Sequence, residues 1–267
     1  MRHDSSTTDT ADNPTKWSSV GLPLPIRDTN LFKHSASSHI LQFLADNPDI
    51  DVSIRQLARV TPTSERATRE AVNTLEANGL IETTHEGNAR RVRINKTRLD
   101  KPTDPIRTIP QSAFQTPVRI ARHYITEQLA DVNGIILFGS TARGEADRQS
   151  DIDLWVLVGE DHMRQRHEAN KLVKQLEELY IPSTIGIATP EHADFESNWP
   201  AITAQLENES SDDPSAERYS FEIIVETPQS ILAQRDRVDT EALFGDGITL
   251  LSTETLERVK VEIISDE

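Results

Sequence analysis

Cysteine is missing from this sequence of 267 residues. Its absence excludes disulfide bonds, thiolate catalysis and zinc sites built on cysteine, so any metal must be bound by oxygen or histidine. No apolar run reaches the roughly 18 residues that a membrane-spanning helix needs. The first ten residues, MRHDSSTTDT, lack the apolar core of a secretory signal. We therefore expect a cytoplasmic protein with no membrane partner.

Lysine is also scarce. The sequence has 21 Arg and 7 Lys against 44 acidic residues, and its net charge is −16. Few lysines beside many carboxylates resemble the composition of proteins from salt-loving archaea. A net charge of this sign ordinarily disfavours a nucleic-acid partner, because phosphates repel it. Where acidity is spread over the whole chain, however, the charge of each region has to decide.

Composition divides the chain into four segments, and its length leaves room for about two domains. Residues 1–34 are rich in Ser, Thr and Asp, which predicts a mobile tail. A compact unit follows over residues 35–98. Prolines recur throughout residues 99–116 and interrupt any helix, which predicts an extended linker. A second unit covers residues 117–267.

The first unit has the pattern of three helices followed by a hairpin. The second helix begins at a capping box, in which Ser53 and Gln56 each satisfy a free backbone N–H. A third helix is expected over residues 64–78, with Gly79 closing it. Two short strands then flank the turn at residues 86–88. This order resembles the winged helix-turn-helix domains of archaeal and bacterial regulators.

The resemblance implies double-stranded DNA as a partner, with the third helix in the major groove and the hairpin against the phosphates. Residues 36–99 carry nine basic and eight acidic residues, so this region lacks the acidity of the rest. The alternative is a winged helix that serves only dimerisation or protein contact. A homodimer would match the symmetry of DNA sites. The predicted DNA contacts are Arg66, Thr68 and Arg69 on the third helix and Arg90, Arg91 and Arg93 on the hairpin.

The second unit contains the most informative stretch, GSTARGEADRQSDIDLWVLV, which follows a short apolar strand. Gly139 and Ser140 end that strand at a tight turn, and the residues after them begin a helix whose free N–H groups favour phosphate. Asp151 and Asp153 follow on another strand. Side chains two apart on a strand face the same way, so this pair suits Mg²⁺.

Gly-Ser, ten residues and Asp-Ile-Asp together resemble the signature of the DNA polymerase beta-like nucleotidyltransferase superfamily. The fuller stretch resembles its minimal branch, near aminoglycoside-modifying enzymes and antitoxins paired with small helical toxins. The resemblance implies that Gly139 and Ser140 hold a nucleoside triphosphate and that Asp151 and Asp153 bind Mg²⁺ or Mn²⁺. Arg143 is a further candidate for phosphate contact; the alternative is that it pairs with nearby acids.

This family's third carboxylate lies on a later strand, where it serves as general base. Two later segments are expected to be strands, STIGIATP and YSFEIIVETP. The first contains no acid, whereas alternation in the second places Glu222 toward the catalytic edge. We therefore select Glu222. The alternative is that Glu222 lies on a solvated outer face, which would leave a nucleotide-binding but inactive domain.

The expected fold class is α+β, with an N-terminal winged helix-turn-helix and a C-terminal nucleotidyltransferase domain whose mixed sheet is flanked by helices. The expected activity is transfer of a nucleoside monophosphate from a triphosphate to a hydroxyl acceptor. That acceptor is a tyrosine or serine of a partner toxin, a small molecule or an RNA end. The alternative is a transcription regulator whose inactive second domain senses nucleotide or mediates dimerisation.

Overall fold

The computed structural model describes residues 19–21, 31, 33, 35–188, 192–208 and 215–265. Most of the predicted tail, residues 1–34, therefore lies outside the described residues. Within that tail, Leu31 is buried against the core of the first unit. A short strand, β1 (Ser19–Val20), pairs antiparallel with β5 (Leu99–Asp100). The segments on either side of the first unit are thus joined by one strand pair.

The first unit has the predicted three helices and hairpin. The capping box is present, since the Ser53 hydroxyl accepts a hydrogen bond from the Gln56 backbone and the Gln56 side chain accepts one from the Ser53 backbone. Gly87 has a φ of +58°, which the tight hairpin turn requires. The elements are α1 (Ala36–Asp46), β2 (Val52–Ser53), α2 (Ile54–Val60), α3 (Glu65–Ala77), β3 (Ile81–Glu86) and β4 (Ala89–Ile94). The strand order is β2-β4-β3.

The segment predicted as an extended linker is packed into the protein instead. It contains two 3-10 turns, Pro105–Thr108 and Ser112–Phe114, and Ile106 is fully buried. Proline tolerates the first position of a helical turn, because its missing N–H would be unsatisfied there anyway. A buried ion pair between Asp104 and Arg119, 2.5 Å long, fixes the segment to the helix that follows.

The second unit is built on a four-stranded mixed sheet with the order β10-β7-β6-β11. Strands β10 and β7 are parallel, whereas β6 is antiparallel to both β7 and β11. The strands are β6 (Val132–Phe138), β7 (Ile152–Val158), β8 (Ile181–Pro182), β9 (Ala216–Glu217), β10 (Phe221–Glu226) and β11 (Ile248–Ser252). The helices are α4 (Gln115–Gln128), α5 (Gly139–Arg143), α6 (His162–Glu178), α7 (Ser183–Ala188), α8 (His192–Asn208), α9 (Pro228–Ala233) and α10 (Glu254–Ile264).

One predicted strand of this unit is wrong. The sequence predicts a strand at STIGIATP, but Ser183–Ala188 forms helix α7. Ile185 is buried in the second unit's core, so tertiary packing overrides the local preference. Further along the chain, GDGITLL contains strand β11 and LERVKVEII belongs to α10.

The two units share a hydrophobic core. On one sheet face, Ile136, Trp155 and Leu157 join the same buried cluster as Phe43 and Leu57 of the winged helix. The opposite sheet face packs against α4 and α6 in a separate cluster. Burial of apolar surface contributes about 25 cal/mol per Å² to stability. The shared core therefore stabilises the packing of the winged helix against the sheet that carries the candidate site.

A polar network reinforces this contact between the units. The Lys260 ammonium is 1% exposed and donates to Asn47 Oδ1 at 2.7 Å and to Thr249 Oγ1 at 2.9 Å. The Thr249 hydroxyl in turn donates to the Asp46 carboxylate at 2.6 Å, and Lys101 also binds Asp46. The end of α1 is therefore hydrogen-bonded to both β11 and α10. In the part of the chain that the structure describes, no helix is long and apolar enough to cross a membrane.

Candidate active site

The site begins at Gly139, the first residue of α5. Its φ is +72°, a conformation that side chains rarely adopt. A Cβ atom on Gly139 would lie 2.1 Å from Oδ2 of Asp153, which is closer than any real contact. Only glycine therefore allows the Asp153 carboxylate to rest against the end of β6. The predicted contact between the glycine turn and the carboxylate strand is present.

Asp153 and Glu222 face each other across neighbouring strands. Asp153 is paired with Glu222 in the parallel register of β7 and β10, and with Phe138 in the antiparallel register of β6. Paired residues on adjacent strands lie about 5 Å apart and project from the same sheet face. Asp151 precedes β7 by one residue and is exposed. The structure thus brings all three predicted carboxylates to one edge of the sheet.

The charge of these neighbours changes the titration of Asp153. Burial, with the carboxylates of Glu222 and Asp151 adding to it, raises its pKa to about 6, while the Arg143 guanidinium opposes the shift. Like charges at short range favour the protonated form. This edge of the sheet therefore carries closely spaced negative charges, and a bound cation would neutralise part of that charge.

The remaining predicted nucleotide contacts lie along the short helix α5. Ser140 is half-buried, and Arg143 binds Glu145, with its Nε 2.9 Å from the Glu145 carboxylate. The predicted alternative for Arg143, pairing with a nearby acid, is therefore present in this structure. The exposed ion pair is weak, about 0–1 kcal/mol, so a phosphate can replace the carboxylate as partner. Thr141, which is not among the predicted contacts, has a buried hydroxyl without a hydrogen-bond partner among the described residues.

Asp151, Asp153 and Glu222 are all carboxylates, and carboxylate oxygens are suitable ligands for a hard divalent cation. Among the described residues, no group of three or more His, Asp or Glu side chains is arranged to hold a metal ion. Mg²⁺ at phosphoryl-transfer sites is usually held by one or two carboxylates together with substrate phosphates and water. A two-carboxylate set of Asp151 and Asp153 meets that requirement, and the raised pKa of Asp153 agrees with it.

The predicted DNA contacts on α3 divide into exposed and buried residues. Arg66 is exposed, with its guanidinium 3.2 Å from the Glu70 carboxylate, and Arg69 is also exposed. Thr68, expected on the same outer face, is fully buried, and its hydroxyl is hydrogen-bonded to Thr63 at 2.8 Å. The prediction for Thr68 is wrong, because this residue closes the turn between α2 and α3.

The three hairpin arginines are each paired with acids. Arg90 binds Glu76, Arg91 lies 3.5 Å from Asp51 and 3.6 Å from Glu86, and Arg93 lies 2.7 Å from Glu82. Arg93 and Glu82 are paired across β4 and β3, and both side chains are about half exposed. These acids share the surface with the arginines, so the hairpin is less positive than its arginines alone suggest.

Comparisons with known proteins find one matching family model within each of the two units. Residues 35–91 match the model of the MarR family, and residues 120–206 match the model of the nucleotidyltransferase domain. The predicted combination of a winged helix with a nucleotidyltransferase domain on a mixed sheet is thus confirmed. No curated protein matches the chain.

A solved structure described as "Crystal structure of the toxin-antitoxin with AMP-PNP" is similar to part of the chain. It is 16% identical, and the match covers 55% of this chain and 83% of that chain with a TM-score of 0.28. A TM-score this low establishes neither a shared fold nor a shared function.

Proposed function

We propose that this protein is a DNA-binding, Mg²⁺-dependent nucleotidyltransferase that moves a nucleoside monophosphate from a triphosphate to a hydroxyl acceptor. The observation that supports it most is the placement of Asp153, which rests against Gly139 and is paired with Glu222. A glycine turn, two acids at the start of one strand and a third acid on the parallel neighbour suit the metal binding and positioning that in-line phosphoryl transfer needs.

Each carboxylate has a separate role in this proposal. Asp151 and Asp153 would hold the divalent cation, Mg²⁺ or Mn²⁺, which when bound neutralises charge on the triphosphate. Glu222 accepts the proton of the acceptor hydroxyl, as a general base within reach of the acids on β7. The acceptor oxygen then forms a bond to the α-phosphorus, the bond from that phosphorus to the bridging oxygen breaks, and pyrophosphate leaves.

The short helix would contribute positioning. Gly139 and Ser140 lie where the triphosphate must approach the carboxylates, since Gly139 touches Asp153. Arg143 is close enough to lower the pKa of Asp153 by its charge, so its guanidinium can also reach a phosphate near that residue. If a phosphate group took the place of the Glu145 carboxylate as the partner of Arg143, a weak surface ion pair would become a stronger charge-assisted hydrogen bond.

The winged helix would bind double-stranded DNA through α3 and the hairpin. Its support is the exposure of Arg66 and Arg69 together with the MarR family match. On the hairpin, Arg93 and Glu82 form an exposed pair that a DNA phosphate can replace at small cost.

Transfer is tested by incubating the protein with α-labelled nucleoside triphosphates, Mg²⁺ and cell extract. We expect label in an extract component with the wild type, and at least 100-fold less with Asp151→Asn combined with Asp153→Asn. Asp236→Asn, which changes an exposed acid in a turn after α9, is the matched control and should label normally. Equal labelling by the wild type and the double variant would refute the assignment of the two aspartates.

A second candidate function is a regulator whose second domain binds nucleotide without transferring it. The observation that favours it is the exposure of Glu222, which is what the predicted alternative of an inactive domain expects for that residue. The regulator would be supported over the transferase if the wild type binds nucleotide but labels no extract component with α-labelled ATP, GTP, CTP or UTP.

The same extract identifies the acceptor class, because a labelled protein, RNA end or small molecule separates on a gel or by filtration.

A further inference from the structure

A cleft of about 510 Å³ lies between the two units, beside the candidate active site. Its volume is within the range of small-molecule sites, roughly 300–1,000 Å³. One wall is formed by the end of α5, at Ala142 and Arg143, and another by α1 of the winged helix. The segment that had been predicted as a linker adds Thr108 and Pro110.

The α1 wall is a defined helix face. His39, Gln42 and Asp46 lie at spacings of three and four, so they share one side of α1. Ile40 and Leu44, on the other side of the helix, are fully buried in the core of the first unit. Unlike Asp46, which Lys101 and Thr249 bind, His39 and Gln42 on this face lie outside the buried core of the first unit.

Arg143 connects this cleft to the carboxylates. It lines the cleft, and its charge acts on Asp153. Helix α5 has five residues and rises about 1.5 Å for each, so about 6 Å along the helix separates Arg143 from Gly139. A ligand whose phosphates lie at Gly139 and Asp153 can extend directly into the cleft.

The chemistry of the lining suits a nucleobase. Leu41, Ala45, Pro110 and Ile248 supply apolar surface of the kind that packs against a flat ring. His39 is half-buried and Gln42 is exposed at the cleft, and both carry groups that donate and accept hydrogen bonds. Asp46 is already bound by Lys101 and Thr249, so it holds the wall rather than the ligand.

We propose that the cleft between α1 and α5 binds the nucleoside part of the triphosphate, so that the winged helix completes the nucleotide site through His39 and Gln42. This inference rests on the proposed function, because it needs the triphosphate at the carboxylate edge. Since α1 belongs to the first unit, the selectivity for a base is set by a residue pair outside the nucleotidyltransferase domain. The match to the nucleotidyltransferase domain model covers residues 120–206 and does not include His39 or Gln42.

The test compares nucleotides with a ligand that has phosphates and no nucleoside. Calorimetric titrations of the full chain with Mg²⁺ complexes of ATP, GTP, CTP, UTP and inorganic tripolyphosphate give the affinities. We expect the wild type to bind at least one nucleotide more tightly than tripolyphosphate. His39→Ala combined with Gln42→Ala should weaken that nucleotide at least fivefold and leave tripolyphosphate within twofold.

Gln42→Trp provides a second variant, because a large side chain at the rim of the cleft fills it. We expect a nucleotide loss of at least tenfold with tripolyphosphate unchanged. His85→Ala, an exposed histidine on β3, is the control, and thermal melting of each variant verifies folding.

The outcomes separate this inference from the proposed function. Unchanged nucleotide affinity in both cleft variants, with tripolyphosphate bound normally, would overturn the cleft assignment and leave the transferase intact. A wild type that binds neither tripolyphosphate nor any nucleotide would overturn the proposed function and, with it, the cleft assignment.

Discussion

Asp153 and Glu222 occupy paired positions on two parallel strands, and Asp153 also touches Gly139. This pairing places a half-buried carboxylate beside two other acids. Burial, with the acidic neighbours adding to it, raises the pKa of Asp153 from 3.8 to about 6. The ionised form of Asp153 is therefore disfavoured in the folded protein relative to the unfolded chain.

The first prediction concerns the pH dependence of stability. The contribution of Asp153 is fully present below pH 4 and is lost as the pH rises through 6, because the folded state binds the proton more tightly. Discounted for solvent screening, the loss is about 1–2 kcal/mol. Urea denaturation should show Asp153→Asn gaining that amount over the wild type between pH 4 and pH 7.5. A difference that stays constant across this range would contradict the raised pKa.

The second prediction concerns the contact at Gly139. Gly139→Ala places a Cβ 2.1 Å from the Asp153 carboxylate at a φ of +72°, so the turn or Asp153 must move. We expect nucleotide transfer to fall at least 100-fold and stability to fall by more than about 2 kcal/mol.

Gly87→Ala is the matched control for this variant. Gly87 has a φ of +58°, but a Cβ there meets nothing within 4 Å. Its stability loss should be about 1 kcal/mol, from backbone strain alone, with transfer unaffected. Equal loss of transfer in both variants, measured with labelled triphosphate, would mean that the Asp153 contact is irrelevant.

Much of the site could be predicted because its determinants are local. The spacing between Ser140 and Asp151 and the alternation around Glu222 fix which side chains share a sheet edge, and the structure brings these side chains together. The capping box at Ser53 is local as well. Such patterns involve residues within one or two elements, so the sequence displays them directly.

The features that were missed depend on contacts distant in sequence. Proline content suggested an extended linker, but the Asp104–Arg119 ion pair and the buried Ile106 are visible only in the packed chain. Thr68 fits an outer helix face by spacing, yet its hydroxyl bonds to Thr63. The cleft at α1 was not predicted either, because its walls come from segments about 100 and 200 residues apart.

The third prediction concerns the contact between the two units. Lys260→Ala removes a buried ammonium and leaves Asn47 Oδ1 without its hydrogen-bond donor, so we expect a loss of about 2–4 kcal/mol. Lys174→Ala, at an exposed position on α6, should change stability by less than about 0.5 kcal/mol. The measurement is guanidinium denaturation of the full chain. A loss at Lys260 no larger than at Lys174 would mean that the polar network does not stabilise the contact.

The fourth prediction concerns DNA binding. Arg66→Ala with Arg69→Ala removes two exposed cations from α3, so the slope of log affinity against log salt should decrease in magnitude by about 2. Glu82→Gln should act in the opposite direction, raising affinity a few-fold, because it releases Arg93. Fluorescence anisotropy with duplex DNA between 50 and 200 mM salt measures both.

Arg164→Ala with Arg166→Ala is the control for the α3 pair. Both arginines are exposed on α6, in the second unit. The salt slope of this control should equal that of the wild type. An unchanged slope in the α3 variant would assign the winged helix to protein contact or dimerisation instead.

Glu222→Gln tests the central claim most directly. The substitution keeps the size of the side chain and removes only its ability to accept a proton. Single-turnover transfer from labelled triphosphate to the acceptor found in extract should fall at least 100-fold, while nucleotide affinity stays within threefold of the wild type. Glu160→Gln, at an exposed turn beyond β7, should retain both properties. Transfer by Glu222→Gln at the wild-type rate would contradict the account.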